Sequence, residues 1–228
     1  MLRIRKFFGD YPHAWWGLFL PTYLLVFFTM EHFITADYWA TQLPFDDMIP
    51  FCEYFIVPYV LWSPLLALIG LYLILRDGEG FRRYIWTLAL TFFASALICV
   101  LLPNGQDLRP TVMERENAFT WLVQFTYGID TNTNVLPSVH VVGVMSALFA
   151  LWHTPGLRKW YWRLGGTLTG AMVIISTLFV KQHAILDILA GLLLSGIAYV
   201  IIYVWIGRSR DRKTKEVGEH GTVENSDI

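Results

Sequence analysis

Between two long apolar runs the chain reads KQHAILD, Lys181 to Asp187. His183 and Asp187 are four residues apart, one helical turn, so their side chains are expected to share a face. A carboxylate there can accept a hydrogen bond from one ring nitrogen. That fixes the tautomer, leaves the other nitrogen free to attack an electrophile, and stabilises positive charge as it develops. By helical rise Asp187 would lie about 6 Å deeper than His183. An aspartate inside a membrane span costs roughly 2.5–3.5 kcal/mol, so it needs a partner, and His183 is the obvious one. Two further stretches carry matching chemistry. In LPSVH, Leu136 to His140, Ser138 follows a proline and suits an N-cap. Its hydroxyl and the following backbone N–H groups, beginning with that of Val139, can hold phosphate oxygens, and His140 can donate a proton to a leaving alkoxide. In NGQDLRP, Arg109 precedes a proline, which biases it toward an extended backbone. Its planar fork can grip two phosphate oxygens, and Lys181 adds a point charge.

The elements that must bring these stretches together are membrane spans. Of 228 residues 55% are hydrophobic and only 15% charged, against about 25% charged in soluble domains. Six apolar runs, about 14–34, 54–75, 83–102, 138–154, 164–180 and 183–207, approach the roughly 20 residues a helix needs to cross a bilayer. The fold class expected is all-α, an integral membrane six-helix bundle over residues 1–207, followed by a disordered cytoplasmic tail over 208–228. The fourth run is short, so the polar residues at its start are expected to line a cavity. A retained first span is expected, not a cleaved signal peptide. If the N-terminus lies in the cytoplasm, fourteen of the 17 Lys and Arg residues fall in inner segments, as the bias of basic residues toward the cytoplasm requires. Both termini are then inside, and Arg109, Ser138 with His140, and Lys181 with His183 and Asp187 all reach the extracytoplasmic side. Helix N-termini there would favour an anion. The net charge of −1 gives no support to a nucleic-acid partner, and none is expected. The expected partners are a lipid phosphate substrate and the surrounding membrane lipids. Cys52 and Cys99 form no metal-ligand pattern, and whether they pair is not readable from sequence.

The chain resembles the type 2 phosphatidic acid phosphatase family, which shares its site with vanadium haloperoxidases. The family's three motifs read here as LPNGQDLRP, PSVH and STLFVKQHAILD. The resemblance covers nearly the whole chain apart from the tail. It implies a lipid phosphatase that needs no metal and no cofactor. His183 would attack phosphorus to form a phosphohistidine, Asp187 would orient it, and His140 would protonate the leaving group. Arg109, Ser138 and the backbone of Val139 would hold the phosphoryl oxygens. Three positions depart from the pattern: Leu102 replaces the first-motif lysine, Val139 the second-motif glycine and Thr177 the third-motif arginine. Lys181 is expected to replace one of the missing cations. Such weakened motifs also resemble the inositol-phosphoceramide and sphingomyelin synthase branch, which implies transfer of a phospho-head group to a lipid alcohol as the alternative to hydrolysis. Phosphatidic acid, phosphatidylglycerol phosphate and polyprenyl diphosphate are the candidate substrates. A non-catalytic lipid-phosphate binder or permease, and a metal site built from His140, His183 and Asp187, are the remaining readings.

Other features have blander expectations. His13 and His153 are expected at the inner boundary, and His32 follows the first span. ENAFTWLVQFTYG, residues 116–128, reads as an apolar and aromatic helix that can lie in the membrane plane over the site. Asp46, Asp47 and Glu53 read as a solvated acidic loop end. Asp107 and Glu114 can repel soluble anions or pair with Arg109 and Arg115.

Overall fold

The computed structural model describes residues 2–33 and 37–207, with side chains from Lys6 onward. The tail expected over 208–228, with its five basic residues, lies outside the described residues. The described chain is all-α apart from one two-residue strand pair. In order the helices are α1 (Leu2–Asp10), α2 (Pro12–Phe33), α3 (Glu53–Arg76), α4 (Gly78–Leu101), α5 (Ala118–Ile129), α6 (Val139–His153), α7 (Trp160–Phe179) and α8 (Ile185–Ile206). Five of them, α2, α3, α4, α7 and α8, are long and apolar enough to cross a membrane. With the shorter α6 they are the six expected elements. The third begins at Gly78, five residues before the apolar run, because the Asp77 side chain accepts from the Gly80 N–H at 2.8 Å and caps the helix there.

α6 is the hub. It packs against α3, α4, α7 and α8, and residues on all its faces are buried, from His140, Val141 and Val142 to Ala150 and Leu151. Its 15 residues span about 22 Å, short of the roughly 30 Å hydrocarbon core. A helix sheathed by protein can be that short, because its ends meet other helices and loops before they meet lipid. Close packing of α6 on α8 depends on Gly191: a Cβ there would lie 2.9 Å from the Val141 Cβ and 3.2 Å from the Ser138 carbonyl. Small residues at such contacts let membrane helices approach. The surrounding helices turn apolar side chains outward, among them Leu25, Leu68, Leu97 and Leu193.

At the end of the bundle where α4 finishes and α6 and α8 begin, the loops are stitched into one layer. β1 (Trp39–Ala40) pairs in parallel with β2 (Asn104–Gly105). The Gln106 N–H donates to the Asn132 carbonyl at 2.9 Å, and Asn134 N–H to the Asn104 carbonyl at 2.7 Å. Glu31, near the end of α2, is buried and accepts from the Thr131 N–H at 3.1 Å and the Asn134 side chain at 3.0 Å. Residues 116–128 do form a helix, α5, opened by Asn117 and Thr120 capping each other. At about 18 Å it is too short to cross a bilayer. It buries Val123 beside Ile56, Tyr59 and Val180 and exposes stacked Trp121 and Phe125.

Of the acidic loop end, Asp47 is exposed as expected, but Asp46 and Glu53 are not. Asp46 and Glu53 are both buried. Asp46 accepts from the Leu43 and Ile185 N–H groups, each at 2.8 Å, and Glu53 pairs with Arg115 at 3.1 Å. Ile185 and Arg115 lie far along the chain, so composition around residue 46 gave no hint of them. Cys52 and Cys99 are free thiols.

The helix contact at Gly191 predicts that Gly191→Ala destabilises the fold by about 1–3 kcal/mol through overpacking. Gly196→Ala, on the same helix with open space around it, serves as the control and should not. Thermal unfolding of the two variants in detergent checks this.

Candidate active site

His183 sits in the turn that joins α7 to α8, not on α8 itself. α7 ends in a Schellman motif: the Gln182 N–H donates to the Thr177 carbonyl at 2.9 Å and the Lys181 N–H to the Leu178 carbonyl at 3.2 Å. Lys181 takes the left-handed position, with φ 54°, where glycine is usual. The chain then reverses through His183 and Ala184 into α8. Asp187 is the third residue of that helix, and its Oδ2 reaches back to accept from the Ala184 N–H at 2.8 Å. The same oxygen lies 3.4 Å from His183 Nδ1. The expected pairing is therefore present, but it arises from a carboxylate folding back over a helix start. The 6 Å depth difference expected from a continuous helix does not apply.

His183 Nε2 lies 3.1 Å from His140 Nδ1. If Nδ1–H of His183 donates to Asp187, Nε2 carries the lone pair and accepts, and His140 Nδ1 is the donor. The two rings meet edge to face with centroids 5.3 Å apart, and all three side chains are buried. His140 comes from the second position of α6. Ser138 caps that helix, its hydroxyl accepting from the Val141 N–H at 3.4 Å. The Ser138 N–H donates to the Asp187 carbonyl at 3.1 Å, which locks the start of α6 to the start of α8. Tyr59 and Trp62 of α3 pack on the His140 ring at 4.7 and 4.8 Å, and Trp62 Nε1 donates to the His140 carbonyl at 3.1 Å. Gly143 admits that indole: a Cβ would lie 2.7 Å from Trp62 Nε1.

Beside the histidines, Arg109 belongs to a second polar group whose other members, Gln182, Asp130, Tyr127 and Tyr59, sequence reasoning did not single out. Arg109 donates to Gln182 Oε1, to the Asp130 carbonyl at 2.7 Å and to the Tyr127 carbonyl at 3.3 Å. Its guanidinium lies 4.2 Å from the Tyr127 ring centre. Gln182 Nε2 in turn donates to Tyr59 Oη and to Asp130 Oδ2, both at 3.2 Å. Burial pushes the Asp130 carboxyl above the usual carboxylate range and pushes Arg109 down, opposed by Asp130. Arg109 Nε is buried with no hydrogen-bond partner among the described residues, a donor still available to an anion. The signal for Asp130 and Gln182 was faint: polar residues flanking PSVH and His183 inside otherwise apolar sequence.

Lys181 is placed differently from expectation. Its Nζ donates to the Asp46 carbonyl at 2.9 Å, and its own carbonyl accepts from Gln106 Nε2 at 2.9 Å. Burial pushes the ammonium down and the Asp46 and Asp47 carboxylates oppose that. That bond takes one of the ammonium's three N–H groups and ties Lys181 to the Asp46 loop. The α8 N-terminus is likewise occupied, because Asp187 and Asp46 accept from Ala184 and Ile185. The anion-binding helix end that remains is that of α6, where the Val139 and His140 N–H groups have no intrahelical acceptor. Asp107 accepts from Tyr38 Oη at 2.5 Å, and Arg115 pairs with Glu53. Among the described residues, no three His, Cys, Asp or Glu side chains form a group able to hold a metal ion.

A family model described as the PAP2 superfamily matches residues 80–211, more than half of the chain and the part that carries Arg109, Ser138, His140, His183 and Asp187. The chain belongs to the PAP2 superfamily. Membership supports an activity of the phosphatase or phosphotransferase type. No curated protein and no solved structure matches the chain. Against the PAP2 motifs, Leu102 lies exposed just after α4. Thr177 is buried, with its hydroxyl on the Ile174 carbonyl at 2.7 Å, so neither position offers a cation.

Two variants test these placements. Gly143→Ala should displace Trp62 from His140 and lower turnover by about tenfold, the range in which small misplacements act. Lys181→Met should lower thermal stability by about 1–3 kcal/mol, because it strips a buried hydrogen bond. It should change KM for a phosphorylated lipid by less than about threefold. A large rise in KM at unchanged stability would instead put the ammonium on substrate.

Proposed function

We propose that the chain is a lipid phosphate phosphatase that hydrolyses a phosphomonoester or diphosphate through a phosphohistidine on His183. The observation that carries this is the relay Asp187–His183–His140, with His183 Nδ1 on the carboxylate and Nε2 on His140 Nδ1. The phosphoryl group enters between the two rings. His183 Nε2 attacks phosphorus, the ester P–O bond breaks, and the leaving lipid oxygen takes a proton from Nδ1 of His140, which acts as the general acid in its doubly protonated form. Asp187 stabilises the imidazolium as it forms. Water then attacks the phosphohistidine, His140 takes a proton from that water, and the P–N bond breaks to release phosphate. Arg109 Nε and the Val139 and His140 N–H groups, with Ser138 fixing that helix end, stabilise charge on the transferring oxygens. Phosphatidic acid, phosphatidylglycerol phosphate and polyprenyl diphosphate are the substrates to try first.

The basic residues support a location for this chemistry. Arg76, Arg82 and Arg83 stand at the junction of α3 and α4, and Arg158, Lys159 and Arg163 at that of α6 and α7. Both junctions are at the opposite ends of their helices from the histidine relay. The bias of Lys and Arg toward the cytoplasm makes that end the inner one, with both termini inside and the relay on the extracytoplasmic side of the cell membrane.

One observation favours a second reading. With Leu102 and Thr177 in two cation positions and Lys181 engaged by Asp46, the positive groups near the relay are few. A phosphodiester carries one negative charge where a phosphomonoester carries nearly two, and it needs fewer cations. On that reading the phosphohistidine passes its group to a lipid hydroxyl.

Phosphate release from the three lipids in detergent, with chelator present, tests the first reading. Wild type should turn over at least one of them. His183→Ala should lose ~10⁴-fold or more and His140→Ala about 10²–10⁴-fold. Full activity in His183→Ala overturns the mechanism. Product analysis on a phosphodiester lipid, with and without an added lipid alcohol, decides between water and alcohol as acceptor.

A further inference from the structure

Far from the relay, the outer face of α4 forms one wall of a groove. Ile85, Ala89, Phe93 and Leu97 make one row at spacing four, and Trp86, Leu90 and Ala94 make the next. Facing them are Trp16 and Phe19 of α2 and Ile201, Ile202 and Ile206 of α8. The α8 residues belong to Val200–Ile206, where the helix widens into π-helical turns, a deviation frequent at functional sites. Ala89 and Ala94 are small against bulky neighbours, so the wall is hollow there. The groove encloses about 710 Å³, within the ~300–1,000 Å³ usual for small-molecule sites, and its lining is apolar along its length.

One end of it changes character. A second hollow shares Trp16, Trp86, Ile202 and Ile206 with the groove and adds Glu79, Arg82 and Arg83. Trp16 and Trp86 stand 5.2 Å apart across this mouth, in the amphipathic manner of aromatic residues at a membrane interface. Glu79 lies 3.6 Å from each arginine. Exposed pairs of that kind are worth about 0–1 kcal/mol, and one acid leaves two guanidinium groups with a net positive charge. The mouth is roughly 28 Å along the α4 axis from Leu101 and the relay. It is therefore a site apart from the catalytic one.

We infer that this groove binds an anionic glycerophospholipid, its phosphate held by Arg82 and Arg83 between the two tryptophans and one acyl chain lying along Ala89 and Ala94. The apolar length suits a chain, and the basic mouth selects the headgroup, as basic pockets between membrane helices do. A second copy of the protein fits less well: α4 offers it a concave apolar wall that ends in like charges.

Native mass spectrometry of the delipidated full-length protein tests this, titrating dioleoyl-phosphatidylglycerol against dioleoyl-phosphatidylcholine. The anionic lipid should bind about tenfold more tightly. The double variant Arg82→Gln/Arg83→Gln should lose that preference, and Arg82→Lys/Arg83→Lys should keep most of it. Ala89→Phe should weaken both lipids. His183→Ala should change neither, which separates this site from the catalytic one. Thermal unfolding confirms that each variant is folded. Equal binding of the two lipids, a preference that survives the double glutamine variant, or a wild-type dimer that Ala89→Phe dissociates would each overturn the inference.

Discussion

The structure depends on holding the five-residue turn between α7 and α8 in one conformation. A turn buried in protein has backbone groups that no water satisfies, and each one left unpaired costs several kcal/mol. Here they are taken one after another. Tyr127 Oη donates to the Val180 carbonyl at 2.6 Å, Gln106 to that of Lys181, and the Gln182 and His183 N–H groups share the Thr177 carbonyl. Asp187 takes the Ala184 N–H. Arg109, Tyr59 and Asp130 hold the Gln182 side chain. His183 has little freedom left except rotation about its own side chain, and Asp187 and His140 fix that.

This clamp explains the buried acids in so apolar a protein. Asp46 and Asp187 cap the start of α8, and Glu31 binds the approach to α6. Each takes the place of water on backbone N–H groups, and charge-assisted bonds of that kind are stronger than neutral ones. The consequence for chemistry is a division between two helix ends. Two carboxylates spend the partial positive charge of α8 on structure, whereas α6 is capped only by a neutral hydroxyl and keeps its charge for an anion. Positive potential near the relay therefore comes from Arg109 and one helix start.

What could be read from the sequence follows the range of the interactions involved. The spans were legible because apolar runs of near-bilayer length have few other uses, and the relay was legible because His183 and Asp187 are close in sequence. The order of Arg109, PSVH and His183 linked them to one fold. The roles of Lys181 and Asp46 were not legible. Their mutual contact spans 135 residues and the Asp46 cap on Ile185 spans 139. A lysine near a histidine reads as phosphate-binding until its acceptor is seen. The fold-back of Asp187 was hidden for a different reason: a spacing of four suits a helix face and a helix start equally.

On the proposed mechanism the relay would also govern how substrate binds. His140 and His183 satisfy each other directly at 3.1 Å, so in the closed pair neither of those nitrogens needs water. A phosphoryl group can reach Nε2 only by replacing that bond, and the proton His140 releases from it is the one the leaving oxygen requires. Breaking the pair costs about what one buried hydrogen bond is worth, ~0.5–1.5 kcal/mol, which contacts to the phosphoryl oxygens can offset. A ligand without an acceptor oxygen at that point would leave His140 unpaired. On the proposed mechanism, selection for phosphorylated lipids would follow from the same contact that sets up the nucleophile.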